Sequence, residues 1–213
     1  MGEMKKNTKL TDCAMKLHKN DAAYKSADTQ DFIITLIMVI IAVFAFRAFI
    51  FEPTRVSGES MMPTLQNNER MFVEKFTYWF DAPSRGDIVI CKYPPTFKRG
   101  TQKDSYVKRV VALPGETVRV HDGSVYIKGV GEKDFHKLDE TSYLGNLYIF
   151  GEYGDTVVPQ GYVFVMGDNR NDSADSRDPS VGPIKMSQIV GRVHGVVFPF
   201  SHIRDLEGVD YGQ

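Results

Sequence analysis

Residues Phe32 to Phe51 read FIITLIMVIIAVFAFRAFIF, an apolar run whose only charge is Arg47. Twenty residues at helical rise cover about 30 Å, the thickness of a bilayer's hydrocarbon core. A helix that is apolar on every side has no polar face to turn to water, so it needs either lipid or a large surrounding core. Arg47 lies near enough to the far end for its side chain to reach the headgroups. A signal peptide that is removed has a shorter apolar stretch closed by a small-x-small site, a spacing that Ala45-Phe46-Arg47-Ala48 does not supply. The run is therefore expected to be a retained transmembrane anchor over 32–51.

Positive charge sets the expected orientation. Lys5, Lys6, Lys9, Lys16, Lys19 and Lys25 precede the run, and such a short tail stays cytoplasmic, while its acids count for little in that rule. Residues 1–31 are thus expected inside and 52–213 outside. The formal net charge of -1 and the absence of a Lys/Arg-rich run on the outer side exclude nucleic acid as a partner. Cys13 and Cys91 fall on opposite sides of the span and cannot pair within one chain. Cys91 sits in an apolar strand pattern, which suits a buried thiol.

The outer part is expected to be mostly β. Residues 86–93 (GDIVICKY) and 106–113 (YVKRVVAL) are β-branched runs bounded by Pro and Gly. Val118–His121 and Ser124–Ile127 flank Asp122-Gly123, a dipeptide suited to the positive φ of a two-residue hairpin turn. Residues 161–166 and 189–197 supply two more strands. The polar, Gly-spaced stretch 129–155 reads as a small irregular insertion.

Ser60 precedes Met61-Met62-Pro63-Thr64, where proline fixes one φ and restricts its neighbour, so the hydroxyl is held at a defined bend. A serine needs a base to act as a nucleophile. The five histidines are scattered, and none carries a local signature linking it to Ser60. Lys108 and Arg109 are adjacent in a strand, so one of them points inward if the strand has two distinct faces. Desolvation lowers a lysine's pKa, whereas arginine stays charged and cannot serve as a base. On the residues alone, Lys108 is either that base or a lysine on a solvated strand face.

Four ordered segments decide between these readings. Gly58-Glu59-Ser60-Met61-Met62-Pro63-Thr64-Leu65, the strand 86–94, the segment 106–116 and residues 166–177 (MGDNRNDSADSR) together resemble the boxes of bacterial type I signal peptidases, and the apolar run ahead of them resembles that family's anchor. The resemblance implies a β-rich catalytic ectodomain behind an N-terminal transmembrane helix. It also implies a Ser-Lys endopeptidase in the cytoplasmic membrane that removes signal peptides from exported preproteins, with lipid and the secretion translocon close by and no cofactor or metal. Carried over by position, Ser60 resembles the nucleophile and Lys108 the general base, with Ser173 hydrogen-bonding to the lysine amine. Asp175 and Arg177 are implied as an ion pair beneath the site, and Asp168 as a brace of the same turn. Val56, Met61, Leu65, Tyr106 and Val107 are implied to line the pocket for the residue before the cut, and Val107 and Ile90 the pocket two residues upstream.

One departure concerns the oxyanion. Some relatives carry a serine two positions before the nucleophile, where this chain has Gly58, so the oxyanion is expected to depend on backbone N–H groups including that of Ser60. Gly58→Ala is expected to be tolerated if the backbone there does not need positive φ, and Arg109→Lys is expected to retain much of the activity. The compact single-anchor branch fits best. Two further readings are a dedicated-substrate Ser-Lys protease and a catalytically inactive assembly factor of pilus systems, the latter disfavoured by the presence of both Ser60 and Lys108.

Overall fold

The computed structural model describes residues 29–44, 51–95, 97, 105–206, 209 and 211, so the lysine-bearing tail lies outside the described residues. The chain divides into two compact units, Met1–Ala48 and Phe49–Gln213. In the first, residues 29–44 form a helix, α1, with Phe32, Ile37, Ile41 and Phe44 all at least 50% exposed. Among the described residues no helix is long and apolar enough to cross a membrane. The expected span runs on through 45–50, outside the described residues, and its last residue, Phe51, instead opens a strand.

The second unit is built of strands. Among the described residues the chain runs through β1 (Phe51–Arg55), β2 (Arg70–Glu74), β3 (Ile88–Cys91) and β4 (Tyr106–Ala112). It continues with β5 (Thr117–His121), β6 (Ser124–Lys128), β7 (His136–Lys137), a short helix α2 (Thr141–Leu144) and β8 (Tyr153–Val157). It returns with β9 (Tyr162–Met166), β10 (Ile184–Lys185), β11 (Ile189–Phe198) and β12 (Arg204–Asp205). The first four and last four strands make one sheet in the order β1-β2-β11-β3-β4-β9-β10, with β12 pairing β11. The middle four make a second sheet, β7-β6-β5-β8.

The hairpin expected at Asp122-Gly123 joins β5 to β6 in register, with φ of 45° and 67° at the turn. The stretch 129–155 is more ordered than its composition suggests: it contains β7, α2 and the start of β8, and it completes a sheet that begins with β5. β1 and β8 escape sequence reading because FEPTR carries a proline and YGDTV a glycine and an aspartate, residues depleted in strands.

The core follows the strand alternation. Val111, Val118, Val120, Ile127, Phe164 and Met166 belong to one buried cluster, which joins residues of the two sheets. Val56, Met61, Leu65, Ile88, Ile90 and Val193 fill a second cluster, and Val89, Cys91, Val110, Val165 and Ile184 a third. Each such side chain contributes about 1.5–3 kcal/mol on burial. β4 lies between β3 and β9, and both of its faces are covered. Lys108 and Arg109 are accordingly 1% and 2% exposed, so both members of the pair are buried rather than one. Cys91 is a buried free thiol, and burial pushes its pKa up to about 12.

Candidate active site

Ser60 sits in the connection between β1 and β2. These strands pair from Phe51↔Glu74 to Arg55↔Arg70, and bonds from Val56 N–H to the Glu69 carbonyl (2.8 Å) and from Asn68 N–H to the Val56 carbonyl (3.0 Å) close the loop above them. Inside it, Leu65 N–H donates to the Met61 carbonyl at 2.9 Å, a single helical turn whose Met61 and Leu65 side chains are buried in the core. The apolar anchors hold the turn down and leave the Ser60 hydroxyl at its rim. Gly58 has a φ of 116°, and its N–H donates to Asn67 Oδ1 at 3.2 Å.

Lys108 enters from β4, opposite Val89 of β3, and its Nζ lies 2.7 Å from Ser60 Oγ. Among the described residues the Ser60 N–H has no hydrogen-bond acceptor within the protein, so it remains free to donate to a bound group. No described histidine bonds to Ser60: His194 pairs with Glu74, His202 with Glu69, His121 with Glu152 and His136 with Glu132. Each is held at a carboxylate instead, His202 at the buried Glu69.

The turn after β9 braces both partners. Asp168 is fully buried and accepts from Arg109 Nε at 2.9 Å, Arg109 Nη2 at 2.7 Å and Thr64 Oγ1 at 2.5 Å. One carboxylate thus ties the residue beside the lysine to the residue four places after the serine. Burial pushes the Arg109 guanidinium down, but the Asp168 hydrogen bonds and charge outweigh it, and the pKa ends above the ordinary arginine value. Asn169 N–H donates to the Ser60 carbonyl at 3.1 Å, and its Nδ2 donates to the Glu59 carbonyl at 3.2 Å. Arg177 donates to Asp175 from Nε and Nη2, both at 2.8 Å, and Asp175 accepts the Gly167 N–H at 3.0 Å.

Ser173 behaves differently from the role implied for it. Its Oγ is buried and has no hydrogen-bond partner, so the bond to the lysine amine is not formed. It is wedged against Gly167: a Cβ there would lie 2.2 Å from Ser173 Oγ and 2.4 Å from the Ser60 carbonyl oxygen.

A cleft of about 300 Å³ opens over Ser60 and Lys108, with Val56, Met61, Ile90, Tyr106 and Val107 in its walls. Tyr106 is held by stacking on Tyr93 at 4.0 Å between ring centroids, while Tyr93 OH donates to the Ala174 carbonyl at 2.7 Å. Leu65 is not in the wall. It faces down into the core at 0% exposure, because the helical turn that carries it points Met61 and Leu65 the same way and Met61 lies nearer the rim.

Sequence reading missed several partners. Thr64, Arg109 and the pair Glu140–Arg170 all support this turn, with Arg170 Nε donating to the Gly167 carbonyl at 3.1 Å and both its terminal nitrogens bound to Glu140 at 2.5 Å. Arg204 braces the loop after β1 instead: its guanidinium reaches the Thr64 carbonyl at 2.6 Å and both oxygens of Glu69 at 2.8 Å. Apart from Arg170 and Gly167, which are three positions apart, the partners in these pairs lie about 30 to 140 positions apart, and no local pattern links them.

Known proteins align with this arrangement along most of its length. The family model described as signal peptidase, peptidase S26, matches residues 29–198. Signal peptidase I P of Bacillus subtilis subsp. natto is 37% identical over 182 residues, covering 84% of this chain and 95% of its own. Signal peptidase I T of Bacillus subtilis (strain 168) is 39% identical over 171 residues, covering 79% of this chain and 85% of its own. The chloroplastic thylakoidal processing peptidase 1 of Arabidopsis thaliana is 36% identical over 165 residues, covering 75% of this chain and 46% of its own. The match spans both strands that flank Ser60, the strand of Lys108 and the bracing turn, and the chain belongs to the signal peptidase family, peptidase S26, as a serine protease of the bacterial type I kind.

Proposed function

We propose that this chain removes signal peptides from exported preproteins with Ser60 as nucleophile and Lys108 as general base. The observation that carries this reading is the 2.7 Å contact between Lys108 Nζ and Ser60 Oγ, made by a lysine that is 1% exposed. Burial disfavours the ammonium, and the neutral amine takes the Ser60 proton as the oxygen attacks the scissile carbonyl. The lysine then protonates the departing amine, and water hydrolyses the acyl-enzyme. The Ser60 N–H, free of any acceptor within the described protein, stabilises the oxyanion. Ser173 Oγ is buried and unpaired, which costs about 1–3 kcal/mol and suits a hydroxyl that receives the lysine amine once Ser60 is acylated. Asp168, Asp175 and Arg177 keep the turn rigid beneath them. No step calls on a metal or cofactor.

The walls Val56, Met61, Ile90, Tyr106 and Val107 narrow the cleft where the residues before the cut bind, so small side chains fit and bulky ones overlap, giving small-x-small ends. The chain sits in the cytoplasmic membrane by its apolar run, tail inside and catalytic unit outside, where lipid and the translocon present the substrates. Incubating the detergent-solubilised chain with a preprotein and sequencing the product's N-terminus tests this. The expected product begins just after a small-x-small site, and Ser60→Ala yields none. Correct processing by folded Ser60→Ala or Lys108→Arg overturns the dyad.

A further inference from the structure

Arg109 follows Lys108 in β4, and its guanidinium is enclosed on more sides than the Asp168 pair accounts for. Nη1 donates to the Gly86 carbonyl at 3.0 Å, and the central carbon lies over the Tyr143 ring, 4.0 Å from its centre. Tyr143 comes from α2. Leu138, 2% exposed, fixes the chain just ahead of α2 in the buried cluster that joins the two sheets, and its N–H donates to the Val125 carbonyl at 2.9 Å. Glu140 and Tyr143 are three positions apart and so emerge on one side of that single turn. The Tyr143 hydroxyl has one proton, which goes to Glu140 Oε1 at 2.6 Å. As an acceptor it takes Arg170 Nη2 at 3.2 Å, and the Tyr211 hydroxyl, 3.0 Å away, is left to donate to it. Tyr211 also packs against Gly86, where φ is 93° and a Cβ would lie 3.2 Å from the Tyr211 ring. The contacts close a ring: from Arg109 through Tyr143 and Glu140 to Arg170, whose Nε holds the Gly167 carbonyl, and back through Asp168 to Arg109.

We propose that Tyr143 is a positioning residue for Ser60 and Lys108: its ring holds Arg109 in place, and its hydroxyl, secured by Tyr211, ties Arg109 to the turn after β9. The proposal rests on the dyad reading above. Both ends of the ring of contacts reach the dyad. Arg109 is joined to Lys108 by a peptide bond, and Gly167 lies so close to Ser60 that a Cβ there would sit 2.4 Å from the Ser60 carbonyl oxygen. Glu140, Tyr143 and Tyr211 are not among the described residues that wall the cleft over Ser60, so they act on turnover through Arg109 and Gly167 and not by touching a peptide there. Loss of the ring over Arg109 lets the guanidinium, and with it Lys108, shift against Ser60, and a misplacement of about 1 Å can cost a reaction on the order of a hundredfold.

The test is cleavage of a preprotein-derived peptide by the full chain in detergent, as wild type, Tyr143→Leu, Tyr143→Phe, Tyr211→Phe and the double variant Tyr143→Phe/Tyr211→Phe, with urea unfolding to establish that each is folded under assay conditions. Tyr143→Leu, which lacks ring and hydroxyl, should lower kcat about tenfold at unchanged KM, and Tyr143→Phe, which keeps the ring, should recover most of this and leave a deficit of about threefold. The Tyr211 hydroxyl acts only on that of Tyr143, so the double variant should turn over no more slowly than Tyr143→Phe alone. Wild-type kcat in folded Tyr143→Leu and Tyr143→Phe overturns the positioning role and leaves the dyad standing. A rise in KM at constant kcat overturns it too, because it marks a role in binding. If Tyr143→Leu does not fold, Tyr143→Phe and Tyr211→Phe, each short of a single oxygen, decide by the same comparison. Losses that multiply in the double variant overturn the link through Tyr211. Failure of wild type to cleave the peptide overturns both this proposal and the dyad.

Discussion

Arg109 shows how far a neighbouring residue's role departs from its appearance in sequence. Beside Lys108 it looks like the spare cation of the pair, and Arg109→Lys looks harmless. In the fold it is 2% exposed, makes a two-point contact with Asp168, donates to the Gly86 carbonyl at 3.0 Å and lies 4.0 Å from the centre of the Tyr143 ring. Lysine keeps the charge but loses the planar fork, so Arg109→Lys is now expected to destabilise the protein by roughly 2 kcal/mol and to loosen the brace to Thr64. Urea unfolding measures the first effect and peptide cleavage the second; a variant with wild-type values in both assays contradicts the bracing role. Gly58 changes in the same way. Its φ of 116° lies where a side chain is strained, so Gly58→Ala and Gly58→Ser should both cost about 1–2 kcal/mol locally and lower kcat/KM about tenfold or more, with no gain from the added hydroxyl. Activity equal to wild type in both variants means the turn relaxes without that φ.

At the scale of elements, the site is three segments held at fixed separation: the turn after β1, the strand β4 and the turn after β9. Much of this was legible in the sequence because each segment carries its chemistry in a short block: Ser60 before proline, Lys108 in a β-branched run, Asp168 to Arg177 in one turn. What was not legible is how the blocks lock together, since Thr64–Asp168 and Glu69–Arg204 join positions that only the sheet order brings close. That Leu65 turns into the core and Ser173 Oγ is left without a partner was not legible for the same reason, because position in a block does not reveal which way a side chain points. Gly167 is where two segments touch most closely, and an added methyl must displace either Ser173 or the Ser60 backbone. Gly167→Ala should therefore cut kcat about a hundredfold while circular dichroism stays that of wild type; unchanged turnover would mean the contact is slack. The Glu69 clamp gives a pH signature. Burial pushes its carboxyl up, and hydrogen bonds from Arg204, the Gln66 N–H and His202 more than reverse this, leaving it below its ordinary value of 4.5. The stabilisation is complete above about pH 4.5 and is lost as pH falls through the lower folded value. Urea midpoints taken from pH 6 to pH 3 should fall more steeply for wild type than for Glu69→Gln, and parallel curves would remove Glu69 from the acid response.

For the whole molecule the decisive question is on which side of a membrane each part lies, because a peptidase of exported proteins works only where its substrates emerge. The two cysteines allow a direct test. Cys91 is 0% exposed and its thiol pKa is pushed up to about 12, so the reactive thiolate is scarce and sheltered and Cys91 stays silent toward a maleimide. Any rapid labelling of the native chain therefore reports on Cys13, in the lysine-bearing tail. A membrane-impermeant maleimide added to intact spheroplasts should leave the chain unmodified, and the same reagent after permeabilisation should add one label, if the arrangement proposed above, with the positively charged tail inside, is correct. Cys13→Ser should abolish that label, which separates it from leakage at Cys91. Labelling of Cys13 in intact spheroplasts would put the tail outside and Ser60 in the cytoplasm, where no exported preprotein presents its cleavage site, and the membrane arrangement proposed here would have to be reversed.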